Sequence, residues 1–225
     1  MSLIKIEKLK KSYNEVSGKL EVLRGVDLEI QQGEMIAITG ESGSGKSTLL
    51  HMMGMLDSFD SGNIYYSGKQ INIKSDDLNE FRNKRIGFVF QSHYLLEDFT
   101  AEENVAMPKF LSTKDFNKSV LDSRKLLKAL DLDDRRSHYP NQLSGGEQQR
   151  VAVARSLINS PEIIFADEPT GNLDSKHSDE LIDLLINLNK KHGQTFVIAT
   201  HNKDIANKMD RCFNLKDGIL SDIKQ

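Results

Sequence analysis

The sequence predicts an α/β fold built on a parallel sheet, and three observations carry that prediction. Short, continuous apolar runs at Met35–Thr39, Ile86–Phe90, Ile163–Ala166 and Phe196–Thr200 have the pattern of strands buried on both faces. Stretches with helical apolar spacing, Ser47–Leu56 and about Ser175–Lys191, stand between them, and such alternation of strand and helix means parallel pairing. The third observation is a glycine-rich segment, Gly40–Thr48 (GESGSGKST), that joins one of these strands directly to one of these helices.

The other elements follow in order. Leu3–Glu7 and Val26–Ile30 alternate apolar with polar residues, the second ending at a turn at Gln32-Gly33, and both read as strands. Gly62–Lys69 reads as a hairpin with Gly68 in its turn. From Thr100 to Asn159 helical patterns dominate, broken by Pro108, Pro140 and Pro161. This is a helical insertion, at roughly 92–160, in one compact domain spanning 1–225. Repeats, low-complexity segments and linkers are absent from the pattern. Met52, Met53 and Met55 beside His51 read as core filler rather than metal ligands. Asp131–Arg136, with both signs of charge, reads as a solvated loop.

Bulk composition removes several classes. With 225 residues there is ample material for a core. A net charge of −3, with charges of both signs interspersed, gives no footprint for nucleic acid, so no nucleic-acid partner is expected. Cys212 stands alone, which rules out an internal disulfide and favours a reducing compartment. The N-terminus alternates charged with apolar residues, unlike a secretory signal. No apolar run approaches the roughly 20 residues of a membrane span. A soluble cytoplasmic protein is expected, with any membrane work done through a partner.

The strand–Gly40-x-x-x-x-Gly45-Lys46-Ser47–helix segment has the context of a phosphate-binding loop. Gly40, Glu41, Ser42, Gly43, Ser44, Gly45 and Thr48 line it with backbone N–H groups, Lys46 reaches the β/γ-phosphates, and the Ser47 hydroxyl is a Mg²⁺ ligand. Ile163–Glu168 is an apolar strand ending in two carboxylates at the edge where parallel sheets bind ligands. Asp167 is placed to hold Mg²⁺, and Glu168 to orient and deprotonate an attacking water; solvated acids opening a loop are the alternative. His201 ends another strand at the same edge, within reach of a γ-phosphate. Gln91 ends Ile86–Phe90, where its amide can bridge Mg²⁺ and the lytic water. Tyr13 either stacks on adenine or is ordinary packing.

Leu143–Arg150 reads LSGGEQQR. Ser144, Gly145, Gly146 and Glu147 open a helix with bare amides and a positive dipole end, which suits an anion. A chain with one complete phosphate loop needs no second anion cradle unless that cradle closes over the nucleotide of another copy. The five letters Leu143–Glu147 would arise by chance in under roughly one chain in a thousand, which sets coincidence aside.

In this order and spacing the set resembles the nucleotide-binding domain of ATP-binding cassette transporters, from about Ile4 to Leu220. The resemblance implies a P-loop NTPase with a RecA-like core, an antiparallel β subdomain and an inserted helical subdomain. It implies ATP and Mg²⁺ as ligands, an ATPase activity, and a homodimer in which Ser144, Gly145 and Gly146 contact the γ-phosphate held by the opposite copy. Tyr13 matches the adenine-stacking aromatic, Gln91 the glutamine at the junction with the helical subdomain, and Asn172-Leu173-Asp174 the loop that communicates across the dimer. Gly87–Pro108 and Phe165–Ser175 are most similar to the lipoprotein-releasing branch of the family. Macrolide-exporter and division-protein branches are close alternatives. The resemblance further implies separately encoded integral membrane subunits and a peripheral place on the cytoplasmic face of the inner membrane. Leu95, Leu96 and Phe99 then either form part of an apolar groove for a partner helix or pack within the helical subdomain.

Overall fold

Alternating apolar residues, turn glycines and helix caps set the element boundaries. The computed structural model describes residues 2–16, 18–73, 75 and 77–223. The expected domain limits at 1 and 225 lie outside the described residues. The chain runs as β1 (Ser2–Glu15), β2 (Gly18–Gln31), β3 (Met35–Thr39), α1 (Lys46–Met53), β4 (Ser61–Tyr66), β5 (Lys69–Gln70), α2 (Leu78–Arg85) and β6 (Ile86–Phe90). It continues through α3 (Ala101–Thr113), α4 (Phe116–Ala129), 3-10 turns at Asp133–Arg135 and Pro140–Gln142, α5 (Gly145–Leu157), β7 (Ile163–Asp167) and α6 (Ser175–His192). It ends with β8 (Thr195–Ala199), α7 (Lys203–Ala206), β9 (Arg211–Lys216) and β10 (Ile219–Asp222). Two compact units emerge: Met1–Leu78 with Leu188–Gln225, and Asn79–Asn187.

In the first unit β1 and β2 pair antiparallel with Ile4 opposite Ile30 and Ile6 opposite Leu28, which puts all four buried residues on one face. β4 joins on the other side of β1, with Ile64 opposite Ile6, and β5 follows it, giving the order β2-β1-β4-β5. β3 is buried on both faces, as its continuous apolar run implies, with Met35 to Ile38 all buried, and it pairs parallel with β8 on one edge and β9 on the other. β10 adds antiparallel to β9. Leu49, Leu50, Met52 and Met53 of α1 are fully buried, so the methionines are core. The helix ends at Met53, capped by Gly54, three residues short of the expected Leu56.

In the second unit β6 and β7 pair parallel from Ile86 opposite Ile163 to Phe90 opposite Asp167. Helices α2 to α5, and α6 up to Asn187, belong to the same unit. Thr100 caps α3 in a reciprocal box with Glu103. One expectation is corrected here: Pro108 does not break the helix but lies inside α3. A proline removes only one i→i−4 hydrogen bond, at a cost of about 3 kcal/mol. Burial of Val105 and Ala106, the capping box, and Asn83 donating to the Pro108 carbonyl (2.9 Å) offset that loss. The segment Asp131–Arg136 is exposed as expected, except that Leu132 is buried as its anchor.

Candidate functional site

In the first unit β3 delivers the chain into the glycine loop, and α1 receives it. Gly40 has φ 152°, and a Cβ there would collide with the Leu215 carbonyl oxygen and approach Ser44 Oγ to 2.6 Å. Gly45, at φ 100°, caps α1, and its Cβ would lie 2.8 Å from Val22 Cγ1. Lys46, only 7% exposed, turns its ammonium back over the loop and donates to the carbonyls of Gly40 (2.9 Å) and Glu41 (3.0 Å). Ser44 Oγ is buried with no hydrogen-bond partner among the described residues. Ser47 and Thr48 follow in the first helical turn, whose amides have no intrahelical acceptor. The loop and the helix start it feeds thus carry an ammonium, hydroxyls and backbone donors, the donor types that a polyphosphate site uses.

His201 leaves the sheet at the same edge. Ile38 of β3 stands opposite Ala199 of β8, so Gly40 and His201 both lie just beyond adjacent parallel tips. The neighbouring backbone is fixed: Thr200 is buried, its amide donates to the Ile38 carbonyl (3.0 Å), and its Oγ1 accepts from the Asn202 amide (3.0 Å). Tyr13 is 38% exposed. Its hydroxyl donates to Asp57 (2.9 Å), and the buried Lys11 ammonium stands 4.7 Å from the ring centroid and 3.0 Å from the same carboxylate. Burial pushes the Asp57 pKa up, but Lys11, Tyr13 and the Ser58 amide outweigh it and hold the pKa below the usual range.

In the second unit the parallel pairing of Phe90 with Asp167 puts Gln91 and Glu168 at neighbouring strand tips. Asp167 Oδ1 is buried and has no hydrogen-bond partner among the described residues. Glu168 takes φ 45°, in the left-handed region, as the chain turns sharply away from β7. Gln91 lies against Gly171, where a Cβ would come 2.7 Å from Nε2. Its backbone carbonyl accepts from Asn172 Nδ2 (2.9 Å), and its Nε2 donates to Asn172 Oδ1 (3.3 Å). Asn172 and the strand-tip Gln91 are therefore one hydrogen-bonded pair.

LSGGE forms the start of α5. Ser144 is the N-cap: its Oγ accepts from the Glu147 amide (3.3 Å), while its amide and hydroxyl donate to Glu147 Oε2 (2.8 Å each). Arg135 holds the other carboxylate oxygen at 2.8 Å. Burial pushes the Glu147 pKa up, but the Ser144 and Arg135 donors prevail and leave it below the ordinary value. Gly145 has ample space around its Cα, whereas a Cβ on Gly146 would meet the His177 ring at 3.2 Å. His177 is clamped by Asp174, amide to Oδ1 at 2.9 Å and Nδ1 to Oδ2 at 2.7 Å.

Sequence reasoning did not single out His177, Arg135 or the buried Gln149 on α5. Each acts through a partner distant in the chain, and a lone histidine or a surface arginine carries no pattern of its own. A cavity of about 340 Å³ in this unit is lined by Phe88, Phe90, Tyr94, Pro108, Arg155 and Ile158 among others. Leu95, Leu96 and Phe99 are not among its lining residues. Asn104 ties down that segment instead, accepting from the Leu96 amide (2.7 Å) and donating to the Leu96 and Phe99 carbonyls (3.0 and 2.9 Å).

A phosphate loop, a strand ending in paired carboxylates and a capped Ser-Gly-Gly helix are the parts that a family comparison can decide on. The family model described as ABC transporter matches residues 23–171. The chain belongs to the ABC transporter family. Among its relatives, the lipoprotein-releasing system ATP-binding protein LolD of Cytophaga hutchinsonii is 50% identical over 204 residues, 90% of this chain and 93% of that protein. LolD of Bacteroides fragilis is 49% identical over 217 residues, covering 96% and 99%. A dimeric ATP-binding cassette solved in a post-hydrolysis state bound to ADP and Pi superposes with a TM-score of 0.89 at 38% identity, over 99% of both chains. The ABC cassette fold expected from the sequence is therefore the fold of this chain. Among the described residues no helix is long and apolar enough to cross a membrane.

Proposed function

We propose that this ABC transporter cassette hydrolyses ATP to drive the release of lipoproteins from the inner membrane. On this reading residues 1–225 are one ATP-binding domain with a helical subdomain at roughly 92–160. Two copies work together on the cytoplasmic face, against separately encoded membrane subunits. The lipoprotein assignment rests on the two LolD relatives, matched at about half identity over nearly their whole length.

One observation supports the catalytic assignment above the others. At the tip of β7, a buried carboxylate oxygen of Asp167 without a hydrogen-bond partner among the described residues adjoins Glu168, beside the strand that ends in Gln91. An oxygen of that kind fits a hard cation, and among the described residues no three His, Cys, Asp or Glu cluster into an all-protein cage. Mg²⁺ is commonly held by one or two carboxylates plus substrate phosphates, so the donors here would be Asp167, the Ser47 hydroxyl and the Gln91 amide oxygen. Mg²⁺ held there would neutralise charge developing on the phosphates. The Gly40–Thr48 amides and Lys46 grip the phosphates, and Tyr13 stacks on the adenine. Glu168 takes the proton of the attacking water, Gln91 orients that water, and His201 hydrogen-bonds the γ-phosphate. Ser144, Gly145, Gly146 and Glu147 approach the nucleotide bound to the other copy. The region after Gln91 receives a membrane subunit.

Steady-state phosphate release tests the ATPase reading. Wild-type chain should turn over Mg·ATP, and Glu168→Gln should abolish turnover while retaining nucleotide affinity; unimpaired turnover by Glu168→Gln would refute its role. The cargo is tested by purifying the chain with its membrane complex in proteoliposomes. ATP-dependent discharge of acylated lipoprotein is expected. Macrolide efflux, or ATP cycling that releases no cargo, would replace the lipoprotein assignment.

A further inference from the structure

Gln149 is a fully buried polar residue whose partners are all backbone, and nucleotide contact does not account for it. It lies one turn into α5, the helix that opens at Ser144-Gly145-Gly146. Its side-chain amide donates twice, to the Phe90 carbonyl at 3.2 Å and to the Pro169 carbonyl at 2.8 Å. Phe90 immediately precedes Gln91, and Pro169 immediately follows Glu168. Its own Oε1 is buried with no hydrogen-bond partner among the described residues. Two carbonyl acceptors fix which end of the amide faces them, because only the NH₂ group can donate. A buried oxygen left without a donor is costly, so the side chain is retained for its two donors rather than for general polarity.

The place of these bonds matters. The β6–β7 ladder ends at Phe90 opposite Asp167, and Gln91 and Glu168 are the first residues beyond it. Gln149 spans the two backbones where strand pairing gives out. No apolar side chain of its length holds both carbonyls.

We infer that Gln149 is a positioning residue for ATP hydrolysis: its amide fixes Gln91 and Glu168 relative to each other and ties both to the helix of the LSGGE segment. This rests on the ATPase reading of Glu168 and Gln91 given above. Displacing reacting groups by about 1 Å costs as much as 100-fold in rate, whereas affinity for ATP is set by other residues.

The test uses the purified full-length chain. Gln149→Met keeps volume and length but removes both donors. It is expected to lower kcat by about 10- to 100-fold with KM for ATP within about twofold of wild type. Gln149→Asn keeps the amide but is one methylene shorter, and an intermediate kcat is expected. A kcat unchanged in Gln149→Met, or a rise in KM at constant kcat, would each overturn the inference. So would failure of both variants to fold, which would make Gln149 a structural staple only. Wild-type turnover and its loss in Glu168→Gln serve as controls. If Glu168→Gln alone retained activity, the catalytic reading itself would fall, and this inference with it.

Discussion

Gly40 and Lys46 show how far single residues could be read ahead of the fold. Spacing, with a strand before and a helix after, reads both into a phosphate loop, and the geometry fits a tight loop: the Leu215 carbonyl occupies the space a side chain would need at Gly40, and Lys46 is buried over the loop's own carbonyls. Gly40→Ala should therefore destabilise the folded chain by about 1–3 kcal/mol in urea unfolding, and an unchanged midpoint would contradict the close approach. Lys46→Ala should weaken ATP binding by more than about tenfold in equilibrium titration, since a charge-assisted contact is lost; unaltered affinity would refute its phosphate role. The place of Asp167 and Glu168 at a strand tip was likewise legible, because an apolar strand ending in acids is a pattern. Gln149 and His177 were not. Their meaning lies in partners such as Phe90 and Pro169, or Gly146 and Asp174, which no local periodicity reveals.

At the scale of elements, runs buried on both faces were read correctly for β3, β6, β7 and β8, since a continuous apolar run of about five residues, too short for a helix, fits a strand covered on both sides. β9 and β10 were missed: the apolar residues of Arg211–Lys216 neither alternate strictly nor form a continuous run, and β10 is short and exposed. α2 was missed because none of its residues is buried, so it carries no apolar stripe to detect. Two element-scale predictions follow from side-chain geometry. Ser144→Ala removes half of the α5 capping box and should cost about 1 kcal/mol of stability by urea denaturation; no loss would show the box to be incidental. Asp122 accepts hydrogen bonds from Lys109 on α3 and from Lys125, which hold its pKa down to about 2. A carboxylate with a lowered folded pKa contributes stability above its unfolded value, near 3.8, and that contribution is lost as pH falls toward about 2. The Tm difference between wild type and Asp122→Asn should thus be greatest above pH 4 and shrink toward pH 2. A difference independent of pH would contradict the pairing.

For the whole molecule, the central claim is that a nucleotide held by the glycine loop of one copy is completed by the α5 start of another. The sequence pointed there because LSGGE reads as a second anion cradle on a chain that already carries a phosphate-loop pattern. The relative orientation of copies leaves no trace in one chain's periodicity, so that part was read only through family likeness. The composite arrangement predicts that Glu168→Gln, with ATP and Mg²⁺, elutes from size exclusion at twice the mass it shows without nucleotide. The most direct measurement mixes two inactive variants, Lys46→Ala and Ser144→Arg, in equal amounts and follows phosphate release. A mixed pair holds one intact site, made from Lys46 of one copy and Ser144 of the other, so the mixture should regain activity that neither variant has alone. A mixture as inactive as its components, under conditions where wild type turns over, would contradict the account.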